Sequence, residues 1–273
     1  MIGPLILLGA CAPKLNAGEW QCPSDGGVAD GSVADGGITD GGVSDGGVVG
    51  PRDPVRIPWS TGFEDGFCDY MKVAGNCYGN QAYTLVTDPP PHSGRLAAEF
   101  KVSNSTNIQS RCTRRGELPE SAYYGAWYYI PEPLLAASVW NLFHFERPDN
   151  SSEKLWDVTL AKPSGDWELV VFDPLAPPGS ENTYRSAERK PVPFGRWFHI
   201  QLFLKRATDA TGEIALYQDE TLLFERKNLR SDASKFTQWY VGDYAEDATP
   251  ADSSLYVDDV SIRATLSSAS ATP

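Results

Sequence analysis

The residues that could carry chemistry are three histidines, an abundance of aromatic rings and a few well-placed charges. His144 sits on an apolar run between Phe143 and Phe145, so its imidazole is half-buried and suited either to a structural partner or to proton transfer. His92 follows Pro89-Pro90-Pro91 and precedes Ser93-Gly94, an exposed turn. Most of the eight Trp belong in a core, but some of Trp127, Trp140, Trp156 and Trp239 could line a groove. There the flat ring faces would stack on the C–H faces of sugars. Glu64 and Asp65 open the folded region and Asp258 and Asp259 close it. If the first and last strands lie side by side, these four acids supply hard oxygen ligands of the kind a structural Ca2+ takes. A phosphate loop, a dinucleotide fingerprint, His-Glu-x-x-His and Cys-x-x-Cys are all absent.

The elements that must position these residues read as strands. The 25 Gly and 21 Pro, with much Tyr, Trp and Val, describe a turn-rich β-protein and exclude a helix bundle. Apolar runs alternate with turn signals over Gln81–Thr87, Arg95–Val102, Ala122–Ile130, Val139–Glu146, Lys154–Ala161 and Trp167–Phe172. They continue over Trp197–Lys205, Glu213–Tyr217, Thr221–Arg226, Phe236–Asp243 and Leu255–Arg263. The two-residue period is plain in Phe198, Ile200, Leu202 and Leu204. So many strands without an amphipathic helix predict an all-β fold of two packed antiparallel sheets. The Pro-rich, polar stretch Leu175–Pro193 reads as a long loop. With 23 Lys and Arg against 36 Asp and Glu, the net charge of −13 disfavours nucleic acid and anionic membrane surfaces as partners.

Ahead of this body the composition changes. Leu8-Gly9-Ala10-Cys11 ends a short apolar stretch and resembles a bacterial lipobox, in which the Cys is acylated. That resemblance implies an exported protein, lipid-anchored to the cell envelope at Cys11, with the outer membrane as the expected location. The membrane then enters only through that anchor. From Asp25 a five-residue unit of the form Asp-Gly-(Gly/Ser)-(Val/Ile)-x repeats at Asp30, Asp35, Asp40 and Asp45. One aliphatic per pentad cannot offset the ordering entropy of so much Gly, so the stretch predicts a self-repelling spacer. The domain reading is therefore a signal-like segment over 1–11, a spacer over 12–56, a sandwich over 57–265 and a tail over 266–273. An export route leaves Cys22, Cys68, Cys77 and Cys112 for disulfides, and four Cys allow three pairings. Cys68 and Cys77 bracket the turn pair Gly75-Asn76, which makes their bond the most economical expectation.

Two hairpin strands, Gly195-Arg196-Trp197-Phe198-His199-Ile200 and Gly212-Glu213-Ile214-Ala215-Leu216-Tyr217, resemble the signature of concanavalin A-like lectin/glucanase jelly rolls. Gly62-Phe63-Glu64-Asp65-Gly66 and Leu255-Tyr256-Val257-Asp258-Asp259-Val260 resemble the opening and closing strands of that fold. A closer resemblance is to jelly-roll polysaccharide lyases of the heparin lyase I-like type. It rests on Arg115-Gly116-Glu117-Leu118, Leu142-Phe143-His144 and Tyr240-Val241-Gly242-Asp243-Tyr244, which occur in the family's order.

That resemblance implies a jelly-roll sandwich with a glycan groove. Arg115 would neutralise a uronate carboxylate while His144 and Tyr244 share the proton transfers of a β-elimination. Trp140, Tyr240, Glu117 and Trp239 would line the sugar site, and His199 would be structural. Leu142 and Tyr240 stand where the family carries Gln and Lys, which removes two polar groups expected to hold an anionic sugar. The first expectation is accordingly a monomeric, surface-tethered module that binds polysaccharide. The alternative is a polysaccharide lyase acting on uronic-acid glycans. A structural envelope protein and a glycosidase rank behind these.

Overall fold

The computed structural model describes residues 15–16, 22, 54–73, 75–79, 83–105, 108–146, 154–162, 165–232 and 238–267. In chain order the strands are β1 (Leu15–Asn16), β2 (Trp59–Thr61), β3 (Asn76–Tyr78), β4 (Tyr83–Val86), β5 (Ala97–Ser103) and β6 (Gln109–Arg115). They continue as β7 (Ser121–Tyr129), β8 (Val139–Glu146), β9 (Lys154–Ala161), β10 (Glu168–Phe172) and β11 (Thr183–Arg185). The last are β12 (Trp197–Lys205), β13 (Gly212–Gln218), β14 (Thr221–Leu229), β15 (Gln238–Glu246) and β16 (Asp252–Arg263). The single helix among the described residues, α1, covers only Cys68–Met71.

Two antiparallel sheets form a jelly-roll sandwich. One runs β1-β4-β5-β16-β7-β12-β13-β14, with β2 also paired to β16, and the other runs β11-β10-β9-β8-β15-β6-β3. The opening and closing strands do lie together, with Val260 opposite Thr61. The β13–β14 hairpin turns on Asp219 and Glu220, both at positive φ, as a two-residue connection between twisted strands requires.

Alternation dictates the core. Phe198, Ile200, Leu202 and Leu204 of β12 are fully buried and face Phe143, Phe145, Trp156 and Trp239 of the opposite sheet in one apolar cluster. Tyr124 packs edge-on against Phe145 and Trp239, with ring centroids 5.0 Å and 5.2 Å away. Trp156 also donates its indole N–H to the Ser231 carbonyl at 2.8 Å, so a buried polar atom is satisfied.

Three expectations change. The disulfides are Cys22–Cys68 and Cys77–Cys112, not Cys68–Cys77. The reason is register: Cys77 on β3 lies directly opposite Cys112 on β6, while α1 turns Cys68 away toward Cys22. The spacer reading for 12–56 fails at points, because Leu15–Asn16 pair with β4 and Cys22 is bonded to Cys68. The stretch Leu175–Pro193 contains the short strand β11, which pairs with β10. Cys11 and the pentads from Asp25 onward lie outside the described residues. Digestion without reduction should release peptides joined 22–68 and 77–112. Replacing Cys77 and Cys112 together by Ser should lower unfolding stability by about 2–4 kcal/mol, measured by denaturant titration.

Candidate active site

The outer face of the seven-stranded sheet carries a cleft of about 600 Å³. Its floor comes from β6, β8, β9 and β15, and two irregularities decide which side chains reach it. On β8 the register shifts between Asn141 and Phe143, so Leu142 is an extra residue. Ordinary alternation would put Asn141 and His144 on opposite faces; the bulge puts both on the cleft. On β15 the register against β8 shifts between Val241 and Tyr244, at Gly242-Asp243. Gly242 has φ 144, and a Cβ there would come within 2.4 Å of the Ser110 carbonyl oxygen. No other residue type fits.

One side chain from the opposite sheet holds both irregularities. The Tyr128 hydroxyl donates to the Leu142 carbonyl at 2.9 Å and accepts the Gly242 N–H at 3.2 Å. Complete burial pushes its ionisation well above the ordinary tyrosine range, so it stays a neutral donor and acceptor.

The polar groups converge around His144. Its Nδ1 is hydrogen-bonded to the Asp157 carboxylate, and its Nε2 lies 3.6 Å from Glu146 Oε2. Burial acts to lower the imidazole pKa, but the hydrogen bonds to Asp157 and Glu146 outweigh it and raise the value above 6.5. The bond to His144 in turn holds Glu146 below its ordinary range. Tyr240 donates its hydroxyl to Glu146 at 3.0 Å, and Tyr244 donates to Glu246.

Arg111 projects from β6 directly opposite Gly242. The missing side chain leaves room for the guanidinium between two rings, 4.5 Å from the centre of Tyr244 and 5.8 Å from that of Tyr240. It lines the cleft, as do Asn141, Tyr78 and Gln109. The buried Asn141 Oδ1 and Arg111 Nε have no partner among the described residues. Behind them Asp243 is fully buried, receives the Trp140 indole N–H at 3.1 Å, and has its pKa pushed up to about 7 by desolvation.

The expected residues are thus partly assembled. His144 and Tyr244 meet at the cleft, and Tyr240 stands beside it with its hydroxyl on Glu146. Arg115 does not line it; it stands on the same face at the far end of β6, and Arg111 occupies the place expected of it. Glu117 lies past the end of β6 beside a separate shallow depression lined also by Arg206 and Asp232. Trp239 is a core residue, 0% exposed, because its neighbour Tyr240 takes the cleft side of the strand. Trp140 touches the cleft floor only at an edge, since its ring packs 5.0 Å from Trp167 in the core. Arg111 and Asn141 were not anticipated. The alternation of Gln109, Arg111, Thr113 and Arg115 was the available signal for the first.

The four acids do not fit a calcium site. Glu64 accepts the Arg95 and Leu96 amides, Asp258 the Ser93 and Asp259 amides, and Asp259 bonds His92 and the Ser93 hydroxyl. Glu64, Asp258 and Asp259 pin the 92–96 turn, and no three metal-ligating side chains among the described residues form a cluster. His199 is buried and lies parallel to Trp127, with ring centroids 4.9 Å apart. Desolvation lowers its pKa to about 4.

The family model for polysaccharide lyases matches residues 71–261. The chain belongs to the polysaccharide lyase family. No curated protein matches it significantly. Among solved structures, alginate lyase Aly36B superposes with a TM-score of 0.54 at 12% identity, covering 76% of this chain and 98% of that one. The cellulose induced protein Cip1 gives 0.54 at 14% identity, covering 77% and 98%. The marine PL-14 alginate lyase from Aplysia kurodai gives 0.52 at 13% identity, covering 75% and 97%. At these identities the structures share the sandwich fold with this polysaccharide lyase family member.

Two outcomes follow for the site. Asp157→Asn should lower the His144 pKa, read by NMR titration, because it removes an interaction that favours the imidazolium. The His144–Asp157 contribution to stability is full below about 6.5 and is lost as pH rises through the higher folded value, so the variant should lose stability mainly at acid pH. Tyr128→Phe keeps the ring and should cost about 1–3 kcal/mol of stability by leaving the Gly242 N–H and Leu142 carbonyl without that partner. A variant with unchanged stability would contradict the clasp.

Proposed function

We propose that this protein is a polysaccharide lyase that cleaves uronic-acid glycans by β-elimination at the cleft on the seven-stranded sheet. The observation that carries the reading is His144 itself. Its Nδ1 is engaged by a buried carboxylate, so in the neutral ring Nε2, 3.6 Å from Glu146, carries the lone pair in the cleft that Arg111 and Tyr244 also line. A module that only holds sugar needs no such base.

In this reading the uronate carboxylate accepts hydrogen bonds from the Arg111 guanidinium and the Asn141 amide N–H, both of which line the cleft. Neutralising that carboxylate makes the adjacent C5 proton more acidic. His144 Nε2 takes the proton, the C4–O bond breaks, and a C4=C5 double bond forms. Tyr244 gives its proton to the departing sugar oxygen, and solvent returns a proton to it as His144 releases one. No redox partner is involved. Glycoside hydrolysis is less well supported, because it asks for a facing carboxyl with a raised pKa. Glu146 is lowered instead, and the raised Asp243 is buried beneath the floor. The lipobox-like Leu8–Cys11 supports a lipid anchor that would present the cleft outside the cell.

The unsaturated product absorbs in the ultraviolet, so a panel of alginate, glucuronan and other uronic-acid polymers provides the test. Absorbance should rise with at least one of them. His144→Ala should cut kcat by about 10²–10⁴-fold, and Arg111→Ala by about 10²–10³-fold, with the fold intact by circular dichroism. A wild-type rate retained by His144→Ala would overturn the assignment. The rate should climb as pH rises through the elevated His144 pKa, because the base must be neutral.

A further inference from the structure

The charge around the cleft bears on which glycan fits, an inference that rests on the lyase reading and narrows its substrate. Arg111 is the only Lys or Arg among the described residues that line the cleft, whereas Glu146, Asp157 and Glu246 all do. Glu146 ends β8 beside the start of β15, and Glu246 ends β15 opposite Val139 at the start of β8. The two carboxylates therefore stand at opposite ends of the same strand pair, on either side of the His144–Tyr244 region. Both are fixed by hydrogen bonds from Tyr240 and Tyr244, so neither can swing clear without breaking a bond. Asp243, beneath the floor and next to Arg111, adds no positive charge. The chain as a whole carries −13.

We infer that the cleft takes one uronate carboxylate at Arg111 and neutral sugars on both sides. Its substrate class is then a heteroglycan with isolated 4-linked uronates, not a polyuronate. In a polyuronate every neighbour of the reacting sugar brings a carboxylate of its own. Some of these would have to approach Glu146 or Glu246 in a partly desolvated groove, where like charges in contact are costly. A neutral neighbour meets the same carboxylates as hydrogen-bond acceptors for its hydroxyl groups.

The test uses one polymer in two forms, which keeps linkage constant. Glucuronan is compared with glucuronan whose carboxyl groups have been partly reduced to primary alcohols, leaving uronates flanked by glucose. The full-length protein is assayed by ultraviolet absorbance at low salt and at high salt. The rate per remaining uronate should rise on partial reduction, by about tenfold or more at low salt, and the gap should narrow as salt screens the repulsion. Glu146→Gln and Glu246→Gln should each shrink the preference for the reduced polymer, whatever they do to the absolute rate. A rate per uronate that stays level or falls on reduction would overturn the inference and leave the lyase reading standing. If neither form yields an unsaturated product, the lyase reading fails for this linkage, and affinity electrophoresis in gels holding each polymer decides the charge question. Stronger retardation by the partly reduced polymer supports the inference, and stronger retardation by intact glucuronan overturns it.

Discussion

The hydroxyl of Tyr128 is the contact on which the arrangement of the site depends. It crosses the sandwich from the opposite sheet and binds one backbone group in each of two adjacent irregular strands. Without the extra residue at Leu142, Asn141 and His144 would point to opposite faces. Without the irregularity at Gly242-Asp243, β15 could not stay paired to β6 in register while stepping past the bulge in β8. Bulges leave backbone groups without ladder partners, and a buried orphan costs about 1–3 kcal/mol. A neutral phenol delivered through the core meets that cost and fixes the position at the same time. The outward-facing chemistry is thus set by a residue that never touches the cleft.

Electrostatics builds the second layer. His144 would lose its proton readily in so buried a place were it not for Asp157 and Glu146, and Glu146 is in turn held ionised by His144. Tyr240 and Tyr244 orient the outer carboxylates and flank Arg111 with their ring faces. The single guanidinium is therefore held by rings and has no acid paired to it among the described residues, which leaves its hydrogen-bonding edge for a ligand. Glu64, Asp258 and Asp259 hold the 92–96 turn on the other sheet, away from this cleft.

Much of the fold was legible because its strands are apolar on one side. Val139–Glu146, Lys154–Ala161 and Trp197–Lys205 have the same bounds in the sequence pattern and in the structure, and His144 and Tyr244 stand in segments that resemble jelly-roll lyase motifs. What escaped was polar on both faces. β6 reads Gln-Ser-Arg-Cys-Thr-Arg-Arg, where the inward side is Ser110, Cys112 and Arg114, so no hydrophobic period marks it. Arg114 itself is buried and lies 5.4 Å from the centre of the Trp59 ring, a place that composition does not suggest for an arginine. Missing the strand meant missing Arg111 and choosing Arg115 at its end. The aromatic choices erred for a simpler reason. Adjacent residues on a strand face opposite ways, so Trp239 and Tyr240 could not both reach the sugar. The bulge at Leu142 then reversed the parity that linked Trp140 to His144.

The most direct measurement is a crystal structure of the His144→Ala protein with an unsaturated-end-free uronate oligosaccharide bound. The account predicts a sugar across β8 and β15 whose carboxylate contacts the Arg111 guanidinium and the Asn141 amide. Its C5 should face the space vacated by the imidazole, with the Tyr244 hydroxyl near the bridging oxygen. An oligosaccharide bound on the other sheet, or one in this cleft with its carboxylate turned away from Arg111, would contradict it.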